Sequence, residues 1–158
     1  MFHIILYEPE IPPNTGNIIR LCANTGCGLH LVGPLGFRLD QRSVRRAGLD
    51  YDELVTVRTH PDLAECLRAL PEVRLFAVET GGGSSYAAVS YRPQDAFLFG
   101  PETRGLPTDV LASVRVEQRV SIPMYPGNRS LNLGNAAAVV VYEAWRQNRF
   151  LKVGPPSA

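Results

Sequence analysis

The sequence predicts an α/β domain, with a mainly parallel sheet and helices on both faces. Three observations carry that expectation. Short apolar runs of strand length alternate with helical patterns from one end of the chain to the other. The runs are apolar at nearly every position instead of every second one, as in strands covered on both faces. A chain of 158 residues, 45% of them hydrophobic, can also bury one substantial core.

Residues 2–7 (Phe-His-Ile-Ile-Leu-Tyr) form the first strand run. Pro12 and Pro13 then mark a helix start, where a missing N–H costs nothing. Ile18, Ile19, Cys22 and Ala23 give this helix its apolar stripe, and Gly26 or Gly28 ends it. Leu29–Val32 reads as the second strand, and Leu54–Val57 as a short third one. Asp62–Leu70 is patterned as a helix with Leu63, Leu67 and Leu70 inward, and Val73–Val78 as a strand. Gly81–Ser85 reads as a flexible loop. Ala96–Phe99 is a strand, Thr108–Ala112 a brief helix, and Val116–Ile122 a further strand. A long helix from about Asn132 to Asn148 repeats Leu133, Ala136, Ala137, Val140, Val141 and Ala144 at helical spacing. Residues 1–150 are thus expected to form one domain without repeat or linker, and residues 151–158 a disordered tail.

Composition removes several classes of protein. No apolar run approaches the ~18 residues of a membrane span, and Met1–Leu6 leads into a strand without the basic lead-in of a signal peptide. A cytoplasmic protein without a membrane partner is expected. Cys22, Cys27 and Cys66 lack metal-like spacing, so buried reduced thiols and no metal are expected. The net charge of +1 neither supports nor excludes a nucleic-acid partner, although fifteen of the sixteen basic residues are arginine. Arg38, Arg42, Arg45 and Arg46 crowd together with only Asp40 opposing them; they read equally as a solvated helix face or a phosphate-binding patch.

Ligands of such sheets sit beyond the carboxyl ends of the strands, so the segments after each strand matter most. After the first comes Asn14-Thr15-Gly16-Asn17-Ile18-Ile19-Arg20, which on its own reads as an asparagine cap with a solvated arginine. After the Ala96–Phe99 strand comes Gly100-Pro101-Glu102-Thr103-Arg104-Gly105-Leu106-Pro107, too rigid and shaped for a simple turn. After the Val116–Ile122 strand, Ser130 or Asn132 can cap the last helix. Capping needs one such residue, yet Ser130, Asn132 and Asn135 all flank its start.

Together these three segments resemble the SPOUT class of RNA methyltransferases. Within it they are similar to the small enzymes that methylate the 2′-hydroxyl of the tRNA wobble nucleotide. The resemblance runs from about Met1 to Arg149 and rests on three motifs in order. They are Asn14 with Arg20; Phe99 to Pro107; and Ile122-Pro123-Met124 with Ser130 to Asn135. It implies a C-terminal trefoil knot, bound S-adenosylmethionine, and a homodimer through the first and last helices. The implied reaction is ribose 2′-O-methylation at position 34, a cytidine or carboxymethylaminomethyluridine, in the anticodon stem-loop of a tRNA. Cofactor contacts carry over to Val78, Thr80, Gly100, Ile122, Ser130, Leu131 and Asn135, and RNA contacts are sought at Arg38, Arg42, Arg45 and Arg46. Arg20 takes the position of the family's essential arginine, either as general base or as a ligand of the adjacent RNA phosphate. A guanidinium with pKa above ~12 is a poor base near neutrality. Asn14, Glu102, Ser130 and Asn132 would orient Arg20 or the substrate. Pro101 fits the wobble-specific branch, while Gly134 stands where serine is common in the class.

Two other readings remain. A conventional nucleotide-binding enzyme would need a G-x-G-x-x-G turn or a Walker-type lysine loop, and the chain has neither; Gly81–Ser85 reads as a mobile loop that closes over cofactor or admits RNA. A pure RNA-binding protein of the same fold has no need of Asn14, Arg20, Glu102, Ser130 and Asn132 together. Methylation of a different tRNA or rRNA nucleotide is the nearest alternative substrate.

Overall fold

The computed structural model describes residues 2–37 and 57–151. Its elements follow one another as β1 (His3–Tyr7), α1 (Pro12–Thr25), β2 (Gly28–Val32), β3 (Val57–His60), α2 (Leu63–Arg68), β4 (Leu75–Glu79), β5 (Ser84–Ser85), β6 (Ala96–Phe99), α3 (Thr108–Ser113), β7 (Arg119–Ser121) and α4 (Leu133–Gln147). The strands form one sheet in the order β3-β2-β1-β6-β4-β7-β5, and every pairing is parallel. The fold class expected from the apolar runs is the one observed.

Strand pleating sends alternate side chains to opposite faces, and each face has its own core. On one side Ile4, Leu6, Leu29, Leu31, Phe97 and Val120 pack under Ile18, Ile19 and Cys22 of α1 and Ala137, Val140, Val141 and Ala144 of α4. On the other, Ile5, Val32, Ala77 and Leu98 pack under Cys66 of α2 and Val110 of α3. All three cysteines are buried and unpaired with one another, as expected. α1 starts at Pro12 and stops where Gly26 adopts a left-handed φ of 72°, its N–H bonding to Cys22 O.

A buried charge fastens the amino end of the sheet. Asp95 is 2% exposed and accepts from Arg74 Nε (2.8 Å), Arg74 Nη2 (2.6 Å) and the Arg92 backbone N–H (2.7 Å). Asp95→Ala will lower unfolding free energy by about 2–3 kcal/mol, below the usual cost of breaking a buried pair because Arg74 keeps some contact with water. Urea unfolding at neutral pH measures this; an unchanged midpoint would exclude the role.

Several expectations shift. Strand β3 lies at Val57–His60, further along than the Leu54–Val57 strand expected, and residues 54–56 lie outside the described residues. Val116–Gln118 is a 3-10 turn, so only Arg119–Ser121 of the expected strand is extended. The correction with most consequence concerns Gly81–Ser85. Ser84 and Ser85 pair with Val120 and Ser121 as an edge strand. Gly83, at φ 74°, lies so close to the Arg119 carbonyl that any side chain would overlap it. Gly83 is there for backbone approach at a sheet edge. Among the described residues no helix is long and apolar enough to cross a membrane.

Candidate active site

Beyond the carboxyl ends of β4, β6 and β7 the chain encloses a cavity of about 640 Å³. Three adjacent strands supply its floor through Val78 and Thr80, Phe99 and Gly100, and Ile122. The 101–106 loop forms one wall, and Ser130 to Leu133 with Ala136 form another. Of the residues singled out in the sequence, Asn14, Val78, Thr80, Gly100, Glu102, Ile122, Ser130, Leu131 and Asn132 all line this one space.

Asn14, Glu102 and Asn132 do more than meet. The Glu102 carboxylate accepts from the backbone N–H of Glu10 (2.8 Å), the backbone N–H of Ile11 (3.2 Å) and Asn14 Nδ2 (3.1 Å). Asn14 Oδ1 in turn accepts from Asn132 Nδ2 at 2.8 Å. Asn132 Oδ1 accepts from the N–H groups of Gly134 (2.9 Å) and Asn135 (3.3 Å), capping α4. One hydrogen-bonded chain therefore joins all three motifs. Asn14 is not the cap that its sequence position suggested. The N-cap of α1 is Ile11, without a side-chain cap bond, and the first turn holds no acidic residue. Glu102 comes from a distant segment to supply the negative charge that a helix N-terminus favours.

A second set of contacts runs the opposite way and was not foreseen in the sequence. Glu10 accepts from Thr103 N (3.1 Å) and Thr103 Oγ1 (2.7 Å), and these bonds hold its carboxyl below the usual range. Glu8 pairs with Arg104 at 2.5 Å. The 8–11 and 101–104 segments thus clasp each other reciprocally. The available signal was two glutamates directly after a strand, where solvated charges are common enough to pass unnoticed.

Gly100 lines the cavity, and its bare Cα also faces the loop that follows it. A Cβ there would lie 2.8 Å from the Gly105 oxygen and closer still to Gly105 C and Leu106 N. Its missing side chain makes room for the loop's own return, which Gly105 N closes by donating to Pro101 O at 2.9 Å. Gly134 is similarly confined: a Cβ would lie 3.2 Å from Asn132 Oδ1 and 3.4 Å from Asn17 Cβ on α1.

Two residues stand outside the cavity. Asn135 contributes its backbone N–H to the Asn132 cap and does not line the wall. Arg20 is exposed on α1 and is not among the lining residues. Arg38, Arg42, Arg45 and Arg46 lie outside the described residues.

The cavity suits a nucleoside-bearing cofactor. Its volume lies within the ~300–1,000 Å³ of small-molecule sites. Val78, Ile122, Leu131, Leu133 and Ala136 offer apolar surface for a base, and the strand ends offer backbone donors and acceptors beside it.

Residues 1–142 match the SpoU rRNA Methylase family. The chain is 55% identical over 150 residues to a tRNA (cytidine(34)-2′-O)-methyltransferase of Methylovorus glucosotrophus, covering 95% of this chain and 97% of that one. It superposes with TM-score 0.87 and 46% identity on a structure solved for insight into the 2-OH methylation of C/U34 on tRNA, covering 96% and 98% of the two chains. It is also similar to the SpoU methyltransferase AviRb of Streptomyces viridochromogenes in complex with AdoMet, with TM-score 0.80 and 27% identity over 93% of this chain and 57% of that one. With its parallel sheet, its three joined strand-end loops and these likenesses, the chain belongs to the SpoU methylase family.

Proposed function

We propose that this protein transfers a methyl group from S-adenosylmethionine to the ribose 2′-hydroxyl of nucleotide 34, the wobble position, in a tRNA anticodon loop. The observation that carries the reading is the hydrogen-bonded chain Glu102–Asn14–Asn132, which brings three strand-end loops to one cavity. The near full-length likeness to enzymes acting on cytidine 34 supports the substrate.

When bound, S-adenosylmethionine supplies a methyl group on a positively charged sulfur. Val78, Thr80, Gly100, Ile122, Ser130 and Leu131 would hold it at the strand ends. The protein's own task is then alignment of a weakly acidic hydroxyl with the methyl carbon, and such positioning supplies roughly 7–11 kcal/mol in favourable cases. The Glu102 network fixes the walls that set this alignment. Arg20 contributes by gripping the RNA phosphate beside the reacting ribose, which suits a permanently charged fork better than proton abstraction does.

The same reading includes the C-terminal trefoil knot, a cytoplasmic location, and a homodimer through α1 and α4. Ile11 and Tyr142, 41% and 46% exposed, give those helices apolar outer surface for such a contact. Arg20, exposed on α1, would then lie at or near that surface.

Arg20→Ala is expected to reduce methylation at least ~100-fold while leaving S-adenosylmethionine affinity, measured by calorimetry, within a factor of two or so. Persisting methylation would remove Arg20 from the mechanism. For the substrate, mass-spectrometric mapping of ribose methylation in a strain lacking the gene should show an unmodified wobble nucleotide. An unchanged modification there defeats the assignment.

A further inference from the structure

The only three histidines of the chain stand in one diagonal row across β1, β2 and β3, from the first residue of β1 to the last of β3, and none lines the cavity. His3 Nδ1 lies 3.1 Å from His30 Nε2, and His30 Nδ1 lies 3.0 Å from His60 Nε2. His3 Nε2 ends the row at Gln94 Oε1, 2.9 Å away. They come from β1, β2 and β3, on the face covered by α2. That helix places Cys66 against the row: one ring nitrogen of His30, one of His60 and the Cys66 thiol all lie within 4.8 Å of one another.

The hydrogen bonds assign the tautomers. The Gln94 amide oxygen only accepts, so His3 carries its proton on Nε2 and accepts at Nδ1. His30 must then donate from Nε2, which leaves the Nδ1 lone pair unprotonated. That lone pair accepts from His60 Nε2–H at 3.0 Å, with the Cys66 thiol close to both rings. A ring whose far N–H is held by a fixed acceptor, with its near nitrogen bare, is the arrangement found in metal-ligating histidines. His30 and Cys66 are 2% and 0% exposed, so the row is built into the fold and is not a chance surface grouping.

We propose that His30 Nδ1, His60 Nε2 and Cys66 Sγ form a binding site for a thiophilic divalent cation of the zinc class, separate from the methyl-transfer cavity. Two imidazoles and a thiolate are a donor set suited to such ions, and three protein ligands leave a fourth tetrahedral position open. Ligand atoms around zinc are separated by about 3.3–3.7 Å. The two nitrogens need open by only a few tenths of an ångström, and the thiol closes in by rotating about its side-chain bond. On binding, the Cys66 S–H bond breaks, the sulfur pair forms the metal bond and that proton passes to solvent, while His60 shifts its proton from Nε2 to Nδ1 so that the Nε2 pair can meet the ion. His3 and Gln94 act as the outer support that orients His30. Sequence spacing hid the site, because positions 30, 60 and 66 come together only through the β2–β3 pairing and the α2 crossover. The proposal sets Cys66 apart from Cys22 and Cys27, for which buried thiols alone are expected.

The test titrates the purified full-length protein with Co²⁺ as spectroscopic probe and then displaces it with Zn²⁺. One equivalent per chain should bind, with the absorption of a thiolate-to-cobalt charge transfer, and Zn²⁺ should remove that band. Cys66→Ser should abolish the band. His60→Gln, at a half-buried position with less risk to folding, should weaken binding by more than the ~10–100-fold that loss of an outer partner costs; His3→Phe should fall within that range. Far-UV circular dichroism checks each variant. If Cys66→Ser does not fold, the His60→Gln titration and the release of one proton per Zn²⁺ bound decide the matter. Absence of Co²⁺ binding at micromolar concentration, a band that survives Cys66→Ser, or equal affinity in His60→Gln would overturn the proposal.

Discussion

Gly100→Ala will reduce S-adenosylmethionine affinity by about 100-fold or more and lower stability by about 1–3 kcal/mol. The added methyl meets only backbone, at Gly105 and Leu106, and backbone cannot rotate aside as a side chain would. Relief requires the 101–106 loop to move outward, and that loop is a wall of the cavity. Its displacement also stretches the Gly105 N to Pro101 O bond and carries Glu102 away from α1. A control separates this steric effect from ordinary glycine conformational freedom. Gly105 has φ 68° with nothing near its absent Cβ, so Gly105→Ala should cost only about 1–2 kcal/mol of backbone strain. Calorimetric titration together with thermal unfolding of both variants reads the contrast. Equal binding losses would mean that the close approach at Gly100 does not shape the cavity.

Removing Glu102 should have a large effect on both turnover and stability. Glu102→Ala leaves the N–H groups of Glu10 and Ile11 and the Asn14 amide without their acceptor, at the start of a helix that has no other acidic group in its first turn. A stability loss of about 2–3 kcal/mol is expected, because bonds to a charged acceptor are lost and donors are left unmatched. Asn14 then loses its orientation, and with it the bond that ties Asn132, the N-cap of α4, to α1. A shift of ~1 Å in such a frame can cost 100-fold in rate, so methylation should fall by about 100–1,000-fold. Glu102→Gln distinguishes charge from shape. All three partners are donors, and an amide presents a second donor to one of them. The glutamine variant should therefore lie nearer to alanine than to wild type in a single-turnover methylation assay. Near-normal rates in Glu102→Gln would show that a single acceptor oxygen suffices.

The central strands β1, β2, β4 and β6 were legible because their burial leaves apolar runs, whereas the partly exposed β3, β5 and β7 were displaced, missed or shortened. The site was legible as three places along the chain, since glycine, proline and paired amides cluster after strands where a simple turn needs fewer of them. What the sequence did not convey was direction. Asn14 read as a cap because a helix start with asparagine usually is one; its burial beneath Glu102, 88 residues away, depends on β1 and β6 lying side by side. The roles of Glu8 and Glu10 were hidden for the same reason. That the bare Cα of Gly100 also faces its own returning loop depends on the loop's path, which the sequence does not convey. Gly81–Ser85 misled because a run of glycines reads as looseness, whereas Gly83 is pressed against a neighbouring strand. The histidine row could not be seen at all, its members being brought together by register alone.

The sheet order has a consequence for how the protein comes into being. β1 is made first, yet one of its two neighbours is β6, with His3 opposite Ala96. A nascent chain can pair β1 with β2 early, but the other flank of that strand stays open until more than ninety residues have followed it. Parallel, non-local pairings of this kind are slow and leave strand edges exposed while they wait. The cavity is assembled later still, because Asn132 must emerge before α1 and α4 can be tied together. Chains halted before that point carry the first two motifs but no third wall. They should depend on chaperones during translation and hold no methyl donor, so cofactor binding should appear only once Asn132 and the helix it caps have been made.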